Sequence, residues 1–190
     1  MNLIVNHIIN MAPFMLFALI IYIPLRLVFL KNKRARFKPF REAVLLLFVI
    51  FMAGLYSQAV IPKIIFERGG ITIINTGTHS TNLIPFRFVA ETFDCLAGNK
   101  NISYFIINIL GNIIMFMPIG FLVPSIWHFN NKKVLFIGFL SSLFIEISQL
   151  FLPRSSDVDD LILNTFGVFL GLLLYRFSEI QFKKRTKSES

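Results

Sequence analysis

Five stretches of this chain, 8–30, 43–61, 104–127, 134–152 and 161–177, are almost wholly apolar, and each is close to the length of a membrane-crossing helix. A helix rises about 1.5 Å per residue, so a hydrocarbon layer of roughly 30 Å takes about 20 such residues. The composition agrees: 55% hydrophobic residues, a mean hydropathy of +0.70 and 23 phenylalanines are more than the core of a soluble domain this small can cover. The expectation is an all-α integral membrane protein of about five transmembrane helices. Residues 1–61 supply two of them and a basic linker, 62–177 a long loop and three more, and 178–190 a basic tail.

The first run lacks the basic start and the small-residue cleavage site of a secretory signal, so it reads as a retained span. Pro13 and Pro24 interrupt its pattern, and Arg26 is expected to snorkel to the headgroups at its end. Lysine and arginine are held on the cytoplasmic side of a span. The linker with Lys31, Lys33, Arg34, Arg36, Lys38 and Arg41, the turn with Lys132 and Lys133, and the tail with Lys183, Lys184, Arg185 and Lys187 all fall on one side under five spans. That sets the amino terminus outside and the carboxyl terminus in the cytoplasm. The net charge of +9 is then a topology signal, and no nucleic-acid partner is expected. Cys95 is the sole cysteine, and His7, His79 and His128 are scattered, so no metal site and no cofactor are expected.

Against this background the polar segment 154–164 is anomalous, because it sits between two apolar runs and polar atoms beside hydrocarbon are expensive. Helical spacing connects it to others. Asn108 and Asn112 are four apart on one face of the third run; Gly138, Ser142, Glu146 and Gln149 form a stripe on the fourth; Asp157, Asp160, Asn164, Gly167 and Gly171 do so on the fifth. Since the fourth run travels opposite to its neighbours, all these polar groups are expected in the same, outer half of the membrane. Each has a structural alternative. The asparagines can be interhelical glue, Glu146 can pair with Arg154, Asp157 and Asp160 can cap the last helix, and Gly167 with Gly171 is a helix-packing pattern.

Asn82-Leu83-Ile84-Pro85-Phe86 in the outer loop, then Asn108, Asn112, Phe116, Pro118, Gly120 and Phe121, then Glu146 and Gln149, and finally Arg154, Asp157, Asp160, Asn164, Gly167 and Gly171, follow one another in an order that resembles the VanZ-like family. That family is named for a teicoplanin-resistance protein of Gram-positive bacteria. The resemblance covers residues 82–171 and makes 62–177 the VanZ-like domain. Asp159 and the basic first linker fall outside the pattern. The resemblance implies a multi-pass protein of the bacterial plasma membrane with a cell-envelope role and low-level resistance to lipid-anchored glycopeptides, and no established reaction.

The candidate binding residues are Asn82, Arg87, Asn108, Asn112, Glu146, Gln149, Arg154, Asp157, Asp160 and Asn164. Glu146, Asp157 and Asp160 against one counter-ion, Arg154, favour a cationic or hydroxyl-rich head, so the expected partner is an amphiphile: a membrane lipid, a lipid-linked envelope precursor or a lipoglycopeptide. Paired carboxylates also leave open an enzyme acting on a lipid-linked substrate, although no nucleophile is specified. Transport has less support, because the acids lie at one side only and no inverted repeat is found. A scaffold whose polar cluster merely fastens three helices is the fourth reading.

Overall fold

The computed structural model describes residues 3–32, 37–60, 63–67, 70–74, 81–98, 102–152 and 155–188. Five helices are long and apolar enough to cross a membrane, over Asn10–Asn32, Pro39–Ala59, Ile106–Trp127, Asn131–Leu150 and Val158–Arg185. The chain forms two compact units, Met1–Asn75 and Thr76–Ser190.

In the first unit, α1 (Leu3–Asn32) packs on α2 (Pro39–Ala59), followed by an antiparallel hairpin of β1 (Lys63–Glu67) and β2 (Gly70–Ile74). Pro13 and Pro24 lie inside α1 without ending it, an arrangement spanning helices accommodate through neighbouring groups and small backbone adjustments. Pro39 opens α2 at a position where its missing N–H has no helical acceptor to lose.

Arg26, expected to snorkel, has a partner on the next helix: its Nε and Nη2 donate to the two carboxylate oxygens of Glu42, each at 2.7 Å, with side chains only 19% and 13% exposed. A fork-on-fork pair satisfies both charges where water is scarce. It joins the end of α1 to the first turn of α2, sixteen residues away, so no helical spacing announces it. Glu42→Gln is expected to cost about 3 kcal/mol by stranding the arginine. The double replacement Arg26→Met with Glu42→Leu should recover most of that loss; thermal unfolding in one detergent measures both.

The second unit holds β3 (Thr81–Asn82), α3 (Arg87–Leu96), α4 (Ile102–Trp127), α5 (Asn131–Leu150), β4 (Ser156–Asp157) and α6 (Val158–Ser188). Its tightest seam runs between α4 and α6. A Cβ on Gly167 would collide with the Ile113 carbonyl oxygen, one on Gly171 with that of Met117, and one on Gly120 with that of Val168. From Ile113 with Gly167 to Met117 with Gly171 both helices advance by four residues, so α4 and α6 are parallel and their backbones touch. Small residues permit that approach, and in lipid it is dispersion between close backbones and not water exclusion that holds helices together.

α5 runs antiparallel to α6. Gly138 faces Val168, and a turn further along α5 Ser142 faces Asn164. The core between the three helices is Phe116, Ile119, Val123, Ile126, Val134, Ile145, Leu163, Val168 and Leu172. α5 begins with Asn130, whose side chain accepts the Lys133 N–H at 2.9 Å. α6 continues through residue 188, beyond the apolar run that ends at 177. Arg176, Glu179 and Lys183 form ion pairs at spacings of three and four, which support a helix outside the packed region. Arg176 also donates to Asn131, tying α6 to the start of α5.

Candidate functional site

The polar residues collect at one end of the α4, α5 and α6 bundle, where α4 and α6 begin and α5 ends. Asp157 is the hinge of the arrangement. Its Oδ1 accepts the Asp159 N–H at 2.8 Å, capping α6, and also accepts Asn82 Nδ2 at 2.8 Å. The Asp157 N–H and the Ser156 hydroxyl donate to the same Glu146 oxygen, at 2.9 and 3.1 Å. One acid from α5 is thereby bound to the strand that leads into α6.

That strand, β4, pairs in parallel with β3, Thr81 opposite Ser156 and Asn82 opposite Asp157. The chain then turns through Leu83-Ile84-Pro85-Phe86. Asn82 Oδ1 accepts the Ile84 N–H at 3.1 Å, and Phe86 adopts a left-handed φ of 63°. Such a backbone costs a bulky residue about 1–2 kcal/mol. Asp159 offsets it: its Oδ1 accepts the Phe86 N–H at 2.6 Å and its Oδ2 the Phe88 N–H at 2.8 Å. The carboxylate thus caps α3 from another helix, and it is only 4% exposed.

Deeper in the bundle, Asp160 accepts a hydrogen bond from Asn112 Nδ2. One turn further along α6, the buried Asn164 donates to the hydroxyl of Ser142 at 2.9 Å, while its own Oδ1 is buried with no hydrogen-bond partner. Four carboxyl groups, Glu146, Asp157, Asp159 and Asp160, therefore occupy this end. No lysine or arginine among the described residues forms an ion pair with any of them. Nor, among the described residues, do three His, Cys, Asp or Glu side chains converge in a way that could hold a metal ion.

A family model described as VanZ/LLP1 matches residues 43–179, which is most of the chain. The chain belongs to the VanZ/LLP1 family. It is similar to Protein VanZ of Enterococcus faecium, at 29% identity over 135 residues that make up 67% of this chain and 73% of that protein. No solved structure matches.

The VanZ/LLP1 match takes in the whole polar end and also most of α2, a helix without a recognisable motif. Among the residues singled out from sequence, Asn82, Asn112, Glu146, Asp157 and Asp160 hydrogen-bond within the cluster, and Asn164 lies one turn below it. Gln149 is half-buried, three residues past Glu146 on α5. Asn108 shares a helix face with Asn112 but is exposed. Arg87 turns instead to Glu91, four residues on, at 3.1 Å with its own side chain 54% exposed. Arg154 lies outside the described residues.

Asp159 is the residue that sequence reasoning set aside and the structure brings in. Its partners are 71 and 73 residues away and are backbone amides. No side-chain pattern marks such a bond; the one available signal was a third acid beside Asp157 and Asp160 at a helix start. Capping, expected of Asp157 and Asp160 alike, falls to Asp157, whereas Asp160 takes Asn112.

Proposed function

We propose that this VanZ-like membrane protein of the cell envelope binds the polar head of an amphiphile at the acidic end of the α4, α5 and α6 bundle, and through it confers low-level resistance to teicoplanin-type lipoglycopeptides. The observation that carries this is the gathering of four carboxyl groups at the end of three spans with no described basic partner. Acids so placed are costly unless something complements them, and intramembrane acids are a mark of function. An ammonium or a run of hydroxyls on a headgroup supplies what the described residues lack. The buried, unpartnered Asn164 oxygen adds one more acceptor.

The opposite end of the same helices carries Lys132, Lys133, Arg176 and Lys183. Positive charge is retained in the cytoplasm, so the acidic end is assigned to the outer side, where lipids, precursors and antibiotics meet the membrane. A catalytic reading has one supporting contact, the Ser156 hydroxyl on Glu146. It requires a chemically altered envelope species, which mass spectrometry of lipids and muropeptides with and without the protein would reveal.

Susceptibility testing checks the binding reading. Cells producing the Glu146→Gln or Asp160→Asn protein at unchanged membrane abundance should show the teicoplanin susceptibility of cells lacking it. Susceptibility equal to that of cells with the unaltered protein would remove the acidic end from the account.

A further inference from the structure

α3 is the element that the proposed site leaves unexplained. Its inner face packs against α4, with Phe88, Glu91 and Thr92 half-buried. Its outer face is apolar and open. Val89 and Phe93, four residues apart, are 41% and 69% exposed, and the preceding turn adds Leu83 at 74%, Ile84 at 67% and Phe86 at 59%. Arg87, Glu91 and Asp94 provide the polar flank of a strongly amphipathic helix. A soluble domain would not present five large apolar side chains together on one short segment without something to cover them.

The position of α3 says what that cover is. It touches α4, and only five residues separate its last residue from the first of α4, a reach of at most about 20 Å if fully extended. α4 is itself a span whose outward side chains near that end, Ile106, Ile107 and Leu110, are exposed and apolar. The open face of α3 therefore continues the exposed apolar surface of α4, at the end where that span begins. We propose that the segment 83–96 lies in the bilayer interface, with Leu83, Ile84, Phe86, Val89 and Phe93 inserted among the upper acyl chains of the leaflet at the acidic end of the bundle.

Helices of this kind lie in the plane of the membrane, their apolar face about 5–10 Å below the headgroup boundary. Arg87, at the polar margin and mostly exposed, is suited to lipid phosphate. Asp159 gives the segment its fixed attachment, since it holds the Phe86 and Phe88 amides from the start of α6. The bilayer surface and the acidic cluster are thereby joined through one buried carboxylate. The inference stands on the face of α3 and does not depend on which amphiphile the cluster binds.

Tryptophan fluorescence of the full chain in phosphatidylcholine–phosphatidylglycerol vesicles tests it. In a Trp127→Phe background, Phe93→Trp and, separately, Val89→Trp should emit to the blue of aqueous tryptophan. Both should be quenched by lipids spin-labelled high on the acyl chain more than by lipids labelled near its end, and should resist iodide. Quenching by iodide and not by lipid would place the face in water. Resistance to both quenchers would mean that protein covers it, from the first 75 residues or a second copy. Either result overturns the proposal.

Discussion

Gly171→Leu is expected to unfold or disassemble the α4–α6 pair. A Cβ at this position already meets the backbone carbonyl of Met117, and the rest of a leucine side chain has nowhere to go without parting the helices. Overpacking of flexible side chains costs about 1–3 kcal/mol. Here the obstacle is backbone, so a loss of at least about 3 kcal/mol is expected, enough to abolish recovery of folded protein from detergent. Gly111 supplies the control, because it lies in α4 with nothing within 4 Å of its Cβ position. Gly111→Ala should be neutral or raise thermal stability by up to about 1 kcal/mol, as expected for alanine over glycine in a helix. Equal effects of the two replacements would show that glycine is used in these helices for something other than close approach.

That seam was legible in the sequence, and the reason is geometric. Gly167 and Gly171 stand at a spacing that one helix face imposes whatever the helix packs on. The same holds for the five spans and for the stripe through Ser142 and Glu146. Pairings between elements carry no such period. The pairing of Arg26 with Glu42 went unseen because Glu42 lies beyond a connection. Asn108 and Asn112 share a face, yet spacing alone cannot say that Asp160 meets Asn112 while Asn108 remains exposed. Arg87 stood beside the Leu83-Ile84-Pro85-Phe86 turn in sequence but finds its own helix partner in Glu91. The helix α3 and the strand pair β3–β4 were not expected either, since two-residue strands and a ten-residue helix leave weak signals inside a long loop.

Asp159→Ala is the second replacement with a large expected effect, and its effect is local. Hydrogen bonds to a charged group contribute about 1.5–3 kcal/mol each, and this carboxylate accepts two from backbone amides that have no other helical acceptor. Removing it also frees the left-handed turn at Phe86 to relax. Opening of residues 82–93 should become easier by about 3 kcal/mol, seen as roughly hundredfold faster hydrogen exchange there. Exchange in the middle of α4 and α6 should be unchanged. Uniform acceleration across the bundle would mean that Asp159 supports the fold at large and does not clamp one segment. Asp159→Asn should lie between, because an amide keeps one acceptor oxygen and loses the charge.

On the proposed function, the acidic end receives the polar head of an amphiphile. Binding of teicoplanin and of an aminoacylated phospholipid to the full chain in nanodiscs measures it directly. Saturable binding above empty nanodiscs is predicted for at least one of them. Glu146→Gln and Asp160→Asn should each weaken it about tenfold, equivalent to about 1.4 kcal/mol, without lowering thermal stability by a comparable amount. Binding no greater than to empty nanodiscs for both ligands, or isotherms unchanged by both replacements, would contradict the account.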